Sequence, residues 1–151
     1  MAAAGAIPGM SYMNAVDTNV LVYSLDVDEP VKQAKAKALL LGLMGATPTT
    51  ILTWQVAGEL LRWLRKWEAA GRVSGADVEQ HFRDFLALFP LVLPGPQVFM
   101  RYFDLHARFS LSHWDAMLLA ACKEAGVTTL YSEDMDAGTN YDGLSVVNPF
   151  A

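Results

Sequence analysis

Short apolar runs separated by helix-length stretches constrain this chain more than any other feature. Residues 12–16, 49–52, 91–93, 128–131 and 145–147 are brief and apolar enough to be strands. Three of the intervals between them hold helical patterns, two of those a pair each. Residues 29–46 carry Lys32, Lys35 and Lys37 early and an apolar run later. Thr53 opens a helix in which Val56, Leu60, Leu64 and Trp67 recur at near-helical spacing, and Gly71 ends it. Ser74 or Gly75 opens the next, with Val78, Phe82, Phe85 and Phe89 on one face and Pro90 as its stop. Residues 98–109 read as helix, and Ser112 caps another that runs to Gly126. Strands alternating with helices predict an α/β fold of three layers, α/β/α, around a mostly parallel sheet. Such sheets bind ligands beyond the carboxyl ends of their strands, so the residues that follow each strand carry the functional question.

The remaining properties narrow the class. A chain of 151 residues suits one domain, assigned here to residues 13–151. Residues 1–12 read as a loose N-terminal extension, with Met10 and Met13 as alternative starts. They show no basic segment followed by a full apolar core, so no signal peptide is expected. The longest uninterrupted apolar or glycine run is residues 38–46, well short of the ~20 residues a membrane span needs. The default expectation is a cytoplasmic protein without a membrane partner. With 53% hydrophobic and 18% charged residues, the chain can bury a core. A formal charge of −5 argues against broad polyanion binding but allows nucleic acid at a metal-bridged site. The single cysteine excludes an intrachain disulfide and a multi-cysteine zinc site.

Four acids stand where the strand-end rule directs attention. Asp17 follows the first strand in Val16-Asp17-Thr18-Asn19, and Asp134 follows the fourth in Tyr131-Ser132-Glu133-Asp134. Glu59 and Asp115 interrupt otherwise apolar helices. Two carboxylates ~4 Å apart repel by about 4 kcal/mol at an effective dielectric of 20. A converging set therefore needs protons, arginines or a divalent cation, and all-oxygen ligation selects a hard ion such as Mg²⁺ or Mn²⁺. Each acid also admits a purely structural role. Asp17 fits an Asx-turn. Asp115, three residues after Ser112, fits a capping box. Glu59 fits an ion pair with Arg62, and Asp134 a turn before Gly138.

The order strand-Asp, helix-Glu, helix-Asp, strand-Asp resembles the PIN domain, most closely the toxin ribonucleases of VapC-type toxin–antitoxin pairs. The carriers are Val16-Asp17-Thr18-Asn19-Val20-Leu21, Glu59, the run from Trp114-Asp115-Ala116 to Ala121, Leu130-Tyr131-Ser132-Glu133-Asp134, and the closing stretch from Tyr141 to Phe150. The resemblance implies that Asp17, Glu59, Asp115 and Asp134 are the catalytic acids that hold Mg²⁺ or Mn²⁺, with Asp136 a candidate fifth. It implies Thr18, Asn19 and Ser132 as supporting polar groups. The implied function is metal-dependent endoribonuclease, the implied partners an RNA substrate, a cognate antitoxin and a second copy of the chain.

The chemistry also follows from charge. Carboxylates alone repel a phosphodiester, and divalent ions reverse the local sign, activate water and stabilise a leaving oxygen. Arg62 and Arg65, one to two turns beyond Glu59, are candidates for RNA phosphate contacts, or a solvated helix face. Trp63 and Trp67 read as core or partner interface, and Phe99, Tyr102 and Phe103 as core or a dimer surface; the positive mean hydropathy of +0.24 favours some covered surface. Two rival readings are a non-catalytic interaction domain on the same fold and a phosphatase-like hydrolase. The second needs another Asp two residues after Asp17, where Asn19 stands.

Overall fold

The computed structural model describes residues 13–151. Strand β1 (Met13–Val16) leads into helices α1 (Thr18–Leu25) and α2 (Pro30–Leu43). Strand β2 (Thr50–Thr53) precedes α3 (Trp54–Ala69) and α4 (Gly75–Leu88). Strand β3 (Leu91–Val92) is followed by α5 (Gln97–Phe109), α6 (His113–Glu124) and β4 (Val127–Tyr131). The chain closes with β5 (Asn140–Tyr141) and β6 (Leu144–Val147). The sheet order is β3-β2-β1-β4-β6-β5, parallel throughout except for the antiparallel β5–β6 pair.

This order places the site. The chain builds outward from β1 through β2 to β3, then crosses to the other side of β1 to lay down β4. Right-handed crossovers in opposite directions put α1–α4 on one face and α5–α6 on the other. The loops after β1 and β4 therefore meet at the carboxyl ends of adjacent strands, where Ser132 bonds Asp17 and Asn19 bonds Asp134. Main-chain bonds carry the ladder to that rim: Asp17 N–H donates to Tyr131 O at 2.9 Å, and Ser132 N–H to Val147 O at 2.9 Å.

The central strands are buried on both faces, which is why they read as continuous apolar runs. Every residue of β2 is buried, as are Ala15 and Val16 of β1 and Leu130 of β4. Helix α3 meets this core with Val56, Leu60 and Leu64, each at most 1% exposed. Each buried leucine of this kind contributes about 1.5–3 kcal/mol relative to leaving it in water. Thr53 caps α3 by accepting from Val56 N–H at 3.3 Å. Gly71, at φ +75°, ends it in a Schellman turn, with Arg72 N–H donating to Trp67 O and Gly71 N–H to Glu68 O.

Several sequence expectations shift here. The loose extension at residues 1–12 and the start of the first strand at Tyr12 lie outside the described residues. Helix α1 has no counterpart in the periodicity, because TNVLVYSL is apolar almost all round and buries Val20, Leu21 and Val22 together. Helix α2 begins one residue late, with Pro30 at its first turn, and ends at Leu43 rather than at 46. The two-residue strand β5 is too short to leave a pattern and exists only by pairing with β6.

Candidate active site

The site is built on Asp17. Its carboxylate is buried, 6% exposed, at the N-cap of α1. Oδ1 accepts from Thr18 N–H at 2.7 Å and Oδ2 from the Ser132 hydroxyl at 2.7 Å. The bond goes to the next residue rather than to the one two on, so the Asx-turn read from the sequence is not formed, and the second oxygen is held from the end of the neighbouring strand β4. Burial pushes the Asp17 carboxyl up to about 6 despite these two bonds, and the negative charges of Asp134 and Glu59 add to the rise.

Thr18, Ser132 and Asn19 connect the neighbouring acids to this centre. The Thr18 hydroxyl donates to Glu59 Oε2 at 2.8 Å. Ser132 Oγ also accepts from Asp134 N–H at 3.1 Å. Asn19 donates from Nδ2 to Asp134 Oδ2 at 3.1 Å and accepts at Oδ1 from Glu133 N–H at 3.4 Å. Glu59 and Asp134 are therefore each within one bridging residue of Asp17, across three separate elements. Among the described residues, no three His, Cys, Asp or Glu side chains stand close enough to grip one ion in this arrangement. Hydroxyl and amide groups space the carboxylates instead.

Asp115 lies on the first turn of α6, one residue after Trp114, and among the described residues forms no hydrogen bond or ion pair with the other acids. Gln55 makes the link: its Nε2 donates to Glu59 Oε1 at 3.1 Å and to the Trp114 carbonyl at 3.3 Å. The capping-box role is not realised, since Ser112 makes no side-chain cap bond. The same spacing at Ser74 and Asp77 forms the box in both directions, so the absence at Ser112 is local and specific. Asp136 is exposed on the loop after β4. The buried phenol of Tyr141 is raised first by burial, then by the charges of Asp136 and Asp115.

Charge balance sets these acids apart from the ion-paired ones, a property shared away from the site by Glu29, Asp77 and Asp84. Among the described residues Asp17, Glu59, Asp115, Asp134 and Asp136 meet no lysine or arginine, whereas Asp26, Glu68, Asp104 and Glu124 do. Glu59 and Arg62 do not pair, although they stand one turn apart. Uncompensated carboxylate oxygens at one crevice suit a hard divalent ion in donor type and charge.

Other sequence expectations divide. Arg62 is exposed and lines a cleft beside Glu59. Arg65 instead pairs with Glu68 at 2.7 Å on the outer face. Trp67 is core, but Trp63 is 44% exposed. Phe99 and Phe103 are 54% and 64% exposed, so neither belongs to the core, while Tyr102 is half-buried. Glu133 pairs with Lys32, which also donates to Tyr23 at 3.2 Å. The residues missed in the sequence are the connectors Gln55 and Lys32, which carry no motif.

The PIN domain family model matches residues 15–139. Solved structures of similar fold include a toxin–antitoxin complex from Klebsiella pneumoniae, at TM-score 0.65 and 20% identity over 90% of this chain and 97% of that one. VapBC2 from Rickettsia felis, bound to a DNA fragment from its promoter, matches at TM-score 0.65 and 13% identity over 89% and 96%. VapC20 of Mycobacterium tuberculosis, described as a sarcin–ricin loop cleaving toxin, matches at 0.59 and 16% over 82% and 91%. No curated protein matches the sequence.

Proposed function

This chain belongs to the PIN domain family, and from that premise we propose that it is a metal-dependent endoribonuclease, the toxin of a toxin–antitoxin pair. The observation that carries the reading is the set of uncompensated acids at the switch crevice. Asp17, Glu59 and Asp134 are joined through Thr18, Ser132 and Asn19, and Asp115 is released from capping at the adjacent helix start.

Asp17, Glu59, Asp115 and Asp134 would hold Mg²⁺ or Mn²⁺, with Asp136 at the outer edge. When bound, the ion supplies positive charge against the scissile phosphate and acidifies the attacking water. The chain's own work is positional. Ser132 and Thr18 N–H fix both oxygens of Asp17, so the most buried carboxylate presents one orientation. Thr18 and Gln55 restrain Glu59, and Asn19 restrains Asp134. Arg62, outside the acid set, binds substrate phosphate. No histidine is placed to act as a base: His113 is bonded to Tyr102 at 3.0 Å, and His106 stacks on the same ring. Hydrolysis by water leaves 5′-phosphate and 3′-hydroxyl ends.

The toxin role draws support from the fold neighbours, one described as a toxin–antitoxin complex and another as a cleaving toxin. The partners are then RNA, a cognate antitoxin and a second copy of the chain, whose contact the exposed Phe99, Met100 and Phe103 of α5 suit. Residues 13–151 act as one domain, and the cytoplasm is its compartment. Among the described residues no helix is long and apolar enough to cross a membrane. A non-catalytic interaction domain is the second reading, favoured by the lack, among the described residues, of three carboxylates in mutual reach. Incubation with total cellular RNA in Mn²⁺, Mg²⁺ or chelator separates the two. Discrete cuts with 5′-phosphate ends, lost in chelator, support the nuclease. Intact RNA under every condition, with no divalent binding, supports the interaction domain.

A further inference from the structure

Past β6 the chain closes on α1 and α2. Phe150 N–H donates to Asn148 Oδ1 at 2.9 Å, an Asx-turn that fixes the direction of the Phe150 backbone. The Phe150 carbonyl accepts from Lys35 Nζ at 3.3 Å, and the ring meets Tyr23 edge-on with centroids 5.1 Å apart. Both rings lie against the ammonium of Lys32, at 4.6 Å for Tyr23 and 6.0 Å for Phe150. Among the described residues Lys32 is the one cation that meets two rings; Lys66, Arg72 and Arg108 each meet one.

The same ammonium pairs with Glu133, the residue before Asp134. Such a pair is weak by itself. The Lys32 and Glu133 side chains are 33% and 25% exposed, so water competes for both, and holding two long side chains in one geometry costs rotamer entropy. Two rings, together with the Tyr23 hydroxyl that accepts from Lys32 at 3.2 Å, shift that balance by removing other positions open to the ammonium. Asn19 and Tyr23 stand four residues apart on α1 and so share a face. Asn19 holds the Glu133 N–H and the Asp134 carboxylate, while Tyr23 holds the lysine that takes the Glu133 carboxylate. The loop is fastened by main chain and side chain from one helix face, and Phe150 backs the side-chain fastening.

A ring that only filled core space would be replaceable by any apolar side chain of its size. Phe150 is instead half-buried beside a charged group. We propose that Phe150 is a positioning residue for the ion site: with Tyr23 it confines Lys32 to Glu133, and so sets how Asp134 is presented to a divalent cation. The proposal rests on the reading of Asp134 as an ion ligand, but it is measured by ion binding rather than by cleavage. Changing Phe150 removes no charge. It therefore isolates geometry from the loss of a lysine's positive charge, which by itself would favour a cation nearby.

Calorimetric titration of the full chain with Mn²⁺ tests this. Phe150→Leu keeps apolar character and loses the ring. Its dissociation constant should rise about three- to tenfold, less than the roughly 10–100-fold typical when a direct partner of a metal ligand is removed, because Phe150 acts through Lys32. Its Tm in chelator should match wild type, and Phe150→Tyr, which keeps a ring, should keep wild-type affinity. In a Lys32→Met background Phe150→Leu should cost nothing further, since the residue it acts through is gone. Wild-type affinity in Phe150→Leu overturns the proposal. So does an equal loss in Phe150→Leu and Phe150→Tyr, or a loss that persists undiminished in the Lys32→Met background. If Phe150→Leu fails to fold, Phe150→Met, whose flexible apolar stem fills irregular space, carries the same comparison. A wild-type chain that binds no Mn²⁺ removes the ligand reading of Asp134 and this proposal together. A chain whose Mn²⁺ affinity depends on the Phe150 ring, yet which leaves all RNA intact, removes the nuclease reading alone.

Discussion

Ser132 donates its hydroxyl to Asp17 Oδ2 at 2.7 Å, although the two residues stand 115 positions apart in the chain. The parallel pairing of β1 with β4 brings them together, with Val16 opposite Tyr131 at the last register position. Every further contact of the candidate site builds outward from this bond.

The buried Asp17 carboxyl makes stability depend on pH. Its folded value of about 6 lies above the ordinary 3.8, so the folded chain holds this proton more tightly than the unfolded chain does. The Asp17 contribution is therefore fully present below pH 3.8 and is lost as pH rises through 6. Two pH units correspond to about 3 kcal/mol. Asp17→Asn should remove this slope and, in chelator at neutral pH, melt no lower than wild type. Asn still accepts one of the two hydrogen bonds. Parallel denaturant titrations of both chains at pH 4 to 8 measure it; identical pH dependence would show that Asp17 does not titrate in this range.

Divalent ions should stabilise the wild-type chain. At a hundred times the dissociation constant, mass action gives about 2.7 kcal/mol, or roughly 5–10 °C in Tm for a chain of this size. The shift should shrink in Asp17→Asn. Thermal melts with Mn²⁺, Mg²⁺ and chelator read it directly, and indifference to every divalent ion would count against the acids as ligands.

Lys32→Met should weaken ion binding without unfolding the chain. The Lys32–Glu133 pair ties the loop carrying Asp134 to α2, and Glu133 raises the Lys32 ammonium above its usual range. Calorimetric titration with Mn²⁺ should show lower affinity and an almost unchanged Tm in chelator. Unchanged affinity would make the pair a surface feature only.

The two serine caps should respond in opposite ways. Ser74→Ala breaks a formed capping box and should cost about 1 kcal/mol. Ser112→Ala removes no cap bond and should stay within about 0.5 kcal/mol of wild type. Denaturant midpoints check both. An equal loss at Ser112 would return Asp115 to a capping role.

Strand order and acid order were legible in the sequence because both are local: apolar runs end at Asp17 and Asp134, and Glu59 breaks an apolar helix face. Helix α1 was not, since a helix buried on all sides leaves no amphipathic period. The exposure of Phe99 and Phe103 was equally hidden, because α5 spacing alone does not say which apolar residues meet a neighbour. Gln55, Lys32 and Glu133 gain their meaning only when distant elements meet. The identical Ser-x-x-Asp spacing at residues 74 and 112 shows the limit well: one forms the box and the other leaves its carboxylate free.

Cleavage of total cellular RNA by wild type, Asp17→Asn and Asp115→Asn, side by side in Mn²⁺ and in chelator, tests the central claim most directly. Each Asn variant should fold as wild type by circular dichroism and lose cutting by several orders of magnitude, while wild type cuts only with the metal. Cleavage that persists in chelator, or in a folded Asp17→Asn chain, would contradict the account.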